Sequence, residues 1–241
     1  MNIKELIKSI FGSRQKKEEI SKRKLLPEYE GFRELKSLSG KKEKFEDFIL
    51  KPGKVGIILG ARGTGKSALG MRLLENVKAR TGENCYVIGF NEKKLPRWIQ
   101  AISSLSEVEN NSFLLADESG INFSSRESMS SANKLLSELL LISRHKNISI
   151  LFITQNSANI EINTLRQADY LLLKRSSLLQ RDFERKKIRD IYDSVAGDFR
   201  KFDGDKGLTY VYSDVYRGFV SNSLPNFWTD GLSRSYSAIG I

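Results

Sequence analysis

Residues 55–67 read VGIILGARGTGKS, an apolar run that passes directly into a glycine-rich loop. The run Val55–Leu59 is typical of a buried strand, and the loop fits the pattern G-x-x-x-x-G-K-[ST] at every fixed position. Glycines let the backbone curl so that successive N–H groups point toward one anion. A helix that begins at Lys66 adds the positive end of its dipole. The stretch therefore predicts a strand, a phosphate-binding loop and a helix.

This loop predicts a nucleotide site that uses Mg²⁺. We expect the Lys66 ammonium to reach the β- and γ-phosphates of ATP and the Ser67 hydroxyl to coordinate Mg²⁺. The cofactors are therefore predicted to be ATP and Mg²⁺. The predicted nucleotide-binding residues are Gly60, Ala61, Arg62, Gly63, Thr64, Gly65, Lys66 and Ser67.

A second acidic element follows about fifty residues downstream, where residues 112–118 read SFLLADE. Side chains alternate along a strand, so Asp117 and Glu118 are expected to point in different directions. We expect Asp117 to bind the Mg²⁺ shell, directly or through water. We expect Glu118 to face an attacking water and to act as the general base of hydrolysis. Many strands end in an acid, so the distance from the phosphate loop gives this interpretation its weight.

The next apolar run is Ile148–Thr154, and Gln155 follows it. In a parallel sheet this places Gln155 beside the other strand ends, where ligands bind. A neutral amide at that position is suited to bond the γ-phosphate or to orient the water. The structural alternative is a polar residue that begins a loop.

Arg144 lies in the sequence SRHK (143–146), between a leucine-rich segment and this strand. One interpretation is an arginine finger that completes the neighbouring subunit's site. The other is a solvated cation whose charge suits the end of a helix. Three further arginines compete for the finger role: Arg126, Arg166 and Arg175.

Strand-length apolar runs alternate with longer helical segments from Gly53 onward, which predicts an α/β fold with a mostly parallel central sheet flanked by helices. The predicted strands are Val55–Leu59, Cys85–Phe90, Ser112–Ala116, Ile148–Thr154 and Tyr170–Leu173. The predicted helices are Lys66–Ala79, Leu95–Leu105, Glu127–Ser143 and a basic segment that runs on from Lys174 through Val195. Leu208–Ser213 and Tyr216–Ser221 alternate and predict a C-terminal β-hairpin.

Three parts of the chain are expected. Residues 1–50 are rich in Lys, Arg and Glu and predict a basic helical extension; Ile3, Leu6, Ile7 and Ile10 recur at helical spacing. Residues 51–176 form the ATPase core, and residues 177–241 complete the same domain with a basic helix, the hairpin and a tail. The stretch Arg14–Lys24 is either a basic arm for DNA or a membrane surface, or an exposed linker.

Composition narrows the class of protein. The 241 residues are 39% hydrophobic and 29% charged, which is typical of an ordinary globular protein. A net charge of +11 favours a polyanionic partner, nucleic acid or an anionic membrane face. No apolar stretch reaches 18 residues, and the N-terminus does not read as a signal peptide. The single cysteine, Cys85, cannot form an internal disulfide and is expected to be buried and inert.

These motifs together resemble the FtsK–HerA class of P-loop ATPases, over roughly residues 53–176. The likeness rests on the phosphate loop, the strand that ends in Asp-Glu, SRHKNISILFITQNSANI (143–160) and LRQADYLLLKR (165–175). The class includes DNA translocases, viral genome-packaging ATPases, conjugation ATPases and zonula-occludens-toxin-like ATPases. The resemblance implies a RecA-like core that forms a ring, usually a hexamer, and moves double-stranded DNA with ATP. The resemblance also implies which residues carry out ATP hydrolysis, namely Lys66, Ser67, Asp117, Glu118 and Gln155. Arg144 matches the arginine finger of that class only by its approximate placement.

The sequence departs from that class in three ways. It looks too short for the barrel and helical additions of a full HerA-like protein, no winged-helix module follows the core, and no transmembrane segment appears. A compact ATPase of a virus, plasmid or other mobile element suits this length best. We expect a cytoplasmic location, or a peripheral one at a membrane or capsid, with a capsid, portal or membrane complex as a further partner.

Two other functions compete with the DNA motor. An ATPase that powers protein export or virion assembly at a membrane would use the N-terminal helix as its anchor, and deletion of residues 1–24 would release it. A non-motor regulatory ATPase would act through a bound partner, although Glu118 supplies the base that a pure switch lacks. Stimulation of hydrolysis by DNA favours the motor.

Overall fold

A nine-stranded sheet organises the residues that the computed structural model describes, which are 26–118, 130–160, 162–229 and 232. Its order is β1-β9-β8-β7-β2-β6-β5-β3-β4. The strands are β1 (Arg33–Gly40), β2 (Val55–Leu59), β3 (Asn84–Ile88), β4 (Ile99–Ala101), β5 (Ser112–Asp117), β6 (Ser149–Thr154), β7 (Tyr170–Leu173), β8 (Thr209–Ser213) and β9 (Tyr216–Ser221). The six strands from β7 to β4 in this order run parallel, and β8, β9 and β1 add an antiparallel extension.

Helices cover both faces of the sheet. In the described ranges the helices are α1 (Lys42–Ile49), α2 (Lys66–Thr81), α3 (Ser130–Lys146), α4 (Ile162–Gln167), α5 (Leu178–Phe183), α6 (Lys186–Ser194) and α7 (Ala196–Lys201). Consecutive residues of a strand face opposite sides, so Ile57 joins the apolar layer with α3, α6 and α7, whereas Ile58 joins the layer with α1 and α2. The predicted α/β class, with a mostly parallel sheet flanked by helices, is confirmed.

Strand β6 brings the predicted site residues together. It pairs in parallel with β2 on one side and with β5 on the other. The phosphate loop after β2 and the acidic pair at the end of β5 therefore lie at the same edge of the sheet, one strand apart. The polar residues that follow β6 fall between them.

Several predicted elements are found with small shifts of their ends. The strands Val55–Leu59 and Tyr170–Leu173 have the same first and last residues as predicted. The C-terminal hairpin is formed by Thr209–Ser213 and Tyr216–Ser221. Cys85 is buried, and burial raises the pKa of its thiol to about 12, which agrees with an inert side chain. None of the helices in the described ranges is both long and apolar enough to cross a membrane.

The predicted helix Leu95–Leu105 is wrong. This segment contains β4 (Ile99–Ala101), which pairs with β3 at the sheet edge, and a single 3₁₀ turn begins at Leu105. Pro96 lacks the N–H that an interior helical residue donates, so it interrupts the apparent period. Trp98 then packs edge-on against Phe227 from the far end of the chain.

The helical prediction for residues 1–50 is wrong for Arg33–Gly40, which forms β1 and pairs with β9. As an edge strand, β1 keeps charged side chains in solvent, so its sequence hides the alternation of a strand. The buried Glu75 carboxylate also accepts N–H groups from Glu28 and Asn226, which ties both ends of the described chain to α2. The division into three parts stays a prediction. The residues Ile3, Leu6, Ile7 and Ile10, the stretch Arg14–Lys24 and Arg126 lie outside the described residues.

Candidate functional site: a phosphate loop beside an acidic strand end

The phosphate loop has the backbone that its glycines allow. Gly65 adopts φ 86° and directly precedes α2. No side chain caps the first turn of α2, so the N–H groups of that turn face the loop. Gly60 adopts φ 151°, and a Cβ there would lie 2.5 Å from the Cβ of Lys174. The Ala61 N–H donates to the Arg175 carbonyl at 2.8 Å. The loop is therefore anchored to the residues that follow β7.

Lys66 is buried at the centre of this loop. Its ammonium donates to the carbonyl oxygens of Gly60 at 2.7 Å and Ala61 at 2.9 Å. Burial lowers the pKa of Lys66 to about 8, and the negative charges of Asp117 and Glu118 oppose this shift. Among the described residues, this buried cation is hydrogen-bonded to its own loop, so it is well placed to exchange these carbonyls for phosphate oxygens.

Ser67 and Asp117 meet as the motif spacing predicts. The Ser67 hydroxyl donates to the Asp117 carboxylate at 3.0 Å, and Asp117 is buried at the end of β5. A hydroxyl and a carboxylate are the hard oxygen ligands that Mg²⁺ prefers. Together with the uncapped helix and Lys66, they fit a nucleotide with its divalent cation. When bound, that cation would neutralise charge on the phosphates.

Glu118 follows Asp117, but its carboxylate points toward the end of β6 and the turn that follows that strand. Its Oε2 accepts from the Thr154 hydroxyl, and its Oε1 accepts from the Asn159 amide at 3.0 Å. The side chain is buried. Sequence reasoning missed both of these contacts. The only signal for them was the polar run TQNSAN (154–159) after an apolar strand, and the interpretation of that run centred on Gln155.

Gln155 directly follows β6, at the edge predicted for it, and its side chain is exposed. The hydroxyl of the neighbouring Thr154 donates to the Glu118 carboxylate. A bond from Gln155 to the γ-phosphate therefore stays a prediction.

Arg144 lies away from the phosphate loop of its own chain. It is exposed near the end of α3 and lines a cavity of about 150 Å³ with Gly53 and Val55, at the start of β2. The loop begins beyond the other end of this five-residue strand, about 16 Å farther along it. A catalytic role for Arg144 therefore requires a second subunit.

The competing arginines are placed differently. Arg175 pairs with Asp203 and also donates to the Phe202 carbonyl at 3.2 Å, so it is engaged within its own chain. Arg166 lines a separate cavity of about 650 Å³ with Leu165 and Ile188.

Lys174 is a further buried cation beside the loop that sequence reasoning missed. It directly follows β7, and its ammonium donates to the carbonyls of Gly207 at 3.0 Å and Leu208 at 2.9 Å. Burial lowers the pKa of Lys174 to about 7; Asp205 opposes the shift, and the positive charges of Arg175 and Lys66 add to it. Lys174 therefore joins the phosphate loop to the turn before β8.

The two lowered pKa values predict how stability depends on pH. In the unfolded chain a lysine binds its proton up to about pH 10.4. Between about pH 7 and that value the unfolded state binds more protons, so the free energy of unfolding rises with pH. Lys174→Met should lower this slope by up to about 1.4 kcal/mol per pH unit, as measured by urea unfolding at a series of pH values. Lys206→Met, an exposed lysine of the same turn, is the matched control, and an unchanged slope for Lys174→Met would contradict the assignment.

Comparison with known proteins identifies the fold. No protein-family model matches the sequence, and the search of curated proteins finds no match. Among solved structures, the genome packaging NTPase B204 from Sulfolobus turreted icosahedral virus 2, in complex with sulfate, has a TM-score of 0.51 at 12% identity, over 71% of this chain and 97% of that one. The pCW3 conjugation coupling protein TcpA, in its monomer form with ATPγS, has a TM-score of 0.50 at 15% identity.

The match to the coupling protein covers 75% of this chain and 62% of that one, so this chain spans less than two thirds of its length. At these identities the comparison shows the fold alone, and this fold agrees with the one that the FtsK–HerA resemblance implies. The described chain has the P-loop ATPase fold that the packaging NTPase and the conjugation coupling protein share.

Proposed function

We propose that this protein hydrolyses ATP to ADP and phosphate in a homo-oligomeric ring, and uses that energy to translocate or package double-stranded DNA. The observation that carries hydrolysis is the 3.0 Å contact between Ser67 and Asp117, with a buried Glu118 beside it. This arrangement supplies a cation site and a carboxylate base at one edge of the sheet.

Each residue has a proposed part in the reaction. The backbone of Gly60–Ser67 and the Lys66 ammonium bind the phosphates, and Ser67 and Asp117 hold the Mg²⁺. Glu118 accepts the proton of the attacking water, and Gln155 orients that water or bonds the γ-phosphate. These assignments join the motif positions to the contacts described above.

The DNA cargo is supported by charge and by fold. Two solved structures with this fold are a genome packaging NTPase and a conjugation coupling protein. The net charge of +11 suits a partner whose phosphates are gripped without reading sequence.

The basic stretch Arg181–Arg189 is one candidate DNA contact, but part of it has other partners. Arg181 pairs with Asp193 at 3.0 Å, and Arg185 donates to backbone carbonyls. The exposed Lys186 and Lys187 are the better candidates within this stretch.

The ring is supported by the position of Arg144. An exposed arginine far from its own loop cannot complete that site, but it can complete a neighbour's site across a head-to-tail contact. We propose a hexamer, the ring size that the FtsK–HerA resemblance implies. A capsid, portal or membrane complex is the further partner that would place the protein at the periphery of that structure.

Subunit mixing tests the Arg144 proposal. Arg144→Ala alone should lower hydrolysis by about 10³-fold or more, the usual worth of an arginine finger. In rings mixed with Glu118→Gln subunits, some interfaces combine an intact Glu118 with a neighbour's intact Arg144, so activity should return. Absence of recovery, with assembly intact by mass, would rule out a finger in trans.

The motor itself is tested by ATP hydrolysis with and without duplex DNA, read together with the mass of the assembly. We expect a ring-sized mass with ATP and a rate that DNA raises. A monomer whose rate of ATP hydrolysis does not change with DNA would refute the proposal and would favour the regulatory ATPase instead.

A further inference from the structure

Both oxygens of the Glu118 carboxylate are already engaged. The Thr154 hydroxyl donates to Oε2 and the Asn159 amide donates to Oε1 at 3.0 Å, within a buried setting. A water that is to lose its proton to Glu118 must approach one of these oxygens within hydrogen-bond distance. Each oxygen keeps a second lone pair for that water, but the two bonds hold the carboxylate against Thr154 and Asn159. The carboxylate can therefore turn toward the phosphate loop only when one of the two donors leaves.

Asn159 is the donor that can leave. Thr154 is the last residue of β6 and is fixed by its ladder, whereas Asn159 ends the single 3₁₀ turn Ser157–Asn159. That turn is held at its start by Asn156, whose side-chain oxygen accepts from the Ala158 N–H at 2.8 Å. A displacement of one short turn moves Asn159 without breaking the sheet.

The opposite side of this turn is bound to the junction between α5 and α6. Ser157 donates its N–H to the Glu184 carboxylate at 3.0 Å and donates its hydroxyl to the same oxygen. Arg185 donates to the carbonyls of Ser157 at 3.0 Å and Ile160 at 2.6 Å. Glu184 is buried, so these bonds are shielded from water. These bonds lie at the break between α5 and α6. The sequence predicted one continuous helical segment there, and that prediction is wrong.

The junction is connected to an unusual surface. The six-residue helix α5 exposes three large apolar side chains, Leu178, Leu179 and Phe183, at 81%, 74% and 72%. A cluster of this kind is typical of a contact surface. A chain of bonded residues therefore runs from α5, through Glu184–Arg185 and the turn, to the Glu118 carboxylate.

We propose that Asn159 is a positioning residue that restrains Glu118, and that movement of the turn Ser157–Asn159, driven from the α5–α6 junction, frees this carboxylate for hydrolysis. The inference rests on the proposed ATP hydrolysis and deepens it, because it names the restraint that DNA or assembly must relieve. Without DNA or assembly, the Glu118 carboxylate stays bonded to the Asn159 amide. With them, this bond is broken.

The kinetic test compares Asn159→Ala with the wild-type protein at saturating ATP. Loss of one restraining hydrogen bond should raise basal kcat about three- to tenfold and leave KM within about twofold. The stimulation by duplex DNA should shrink by the same factor, because the variant is already released. A lower kcat would overturn the proposal, since it would show that Asn159 holds Glu118 in its active position.

Two further variants sharpen this test. Asn84→Ala breaks a bond of the same type, from an asparagine amide to the exposed Glu109 carboxylate at 2.6 Å, and should leave kcat unchanged. Arg185→Ala removes both bonds to the backbone carbonyls of Ser157 and Ile160, so it should loosen the turn and raise basal kcat by a smaller factor. No rise in Arg185→Ala would overturn the link to the junction.

A readout without nucleotide separates the restraint from the chemistry. Amide hydrogen exchange of Ser157 and Arg185, in the nucleotide-free protein, should be faster in Asn159→Ala than in the wild-type protein and the Asn84→Ala control. Unchanged exchange would overturn the restraint. If the wild-type protein hydrolyses no ATP under any condition, the proposed function fails, and the exchange still decides whether Asn159 restrains the turn.

Discussion

Glu118→Gln is expected to keep nucleotide binding and to lower kcat by about 10²–10⁴-fold, the usual worth of a general base. Glutamine has the shape of glutamate, and its carbonyl oxygen still accepts from the Thr154 hydroxyl. The Asn159 amide can turn to present its own oxygen to the new NH₂ group, so the local structure should survive. The change removes the negative charge of the carboxylate and, with it, the ability to accept a proton.

The measurement is steady-state hydrolysis together with the Kd of ATPγS for both proteins. Glu109→Gln serves as the control, because it changes an exposed carboxylate that is bonded to Asn84. We expect the Kd of Glu118→Gln to stay within about threefold of the wild-type value, since the change leaves every proposed phosphate contact in place. Full turnover by Glu118→Gln would show that another group is the base.

Lys66→Ala should abolish productive nucleotide binding. Hydrogen bonds to charged groups contribute about 1.5–3 kcal/mol each, so loss of two phosphate contacts weakens binding by on the order of 10²–10⁴-fold. The nucleotide-free variant should nevertheless fold. Burial lowers the pKa of Lys66 to about 8, so the charged side chain is costly to bury and its removal relieves that cost.

Calorimetric titration with ATPγS and a thermal melt of the same samples test this expectation. The control is Lys44→Ala, which removes an exposed lysine from α1. Binding should vanish only in Lys66→Ala, while its melting temperature stays at or above that of the wild-type protein. Retained ATPγS affinity in Lys66→Ala would contradict the phosphate-binding role.

Local sequence patterns predict the centre of this fold well. The segment from β2 through the loop to α2 is continuous in the chain, and the loop glycines Gly60, Gly63 and Gly65 all adopt positive φ values. Asp117 also meets Ser67 as expected, because it ends a parallel strand at the edge of the sheet where the phosphate loop lies. The segment of the phosphate loop itself needs no knowledge of distant partners, whereas the contact with Asp117 is predicted from the motif and its spacing.

Features that depend on distant pairing are less predictable. β1 is a strand because β9, about 180 residues later, offers it a partner, and its own charged sequence does not reveal this. The bonds from Thr154 and Asn159 to Glu118 depend on β5 lying next to β6, a sheet order that no local period encodes. Lys174 is likewise understandable only once the turn before β8 folds over the phosphate loop.

The central claim, that ATP hydrolysis drives movement along duplex DNA, is tested most directly by the rate of hydrolysis on linear duplexes of increasing length. A translocating ring stays longer on a longer duplex before it reaches an end. We therefore expect the rate of ATP hydrolysis per ring, at equal DNA mass, to rise with duplex length toward a plateau. Glu118→Gln should show no hydrolysis at any length. A rate that is the same at every length, or the same without DNA, would contradict the motor.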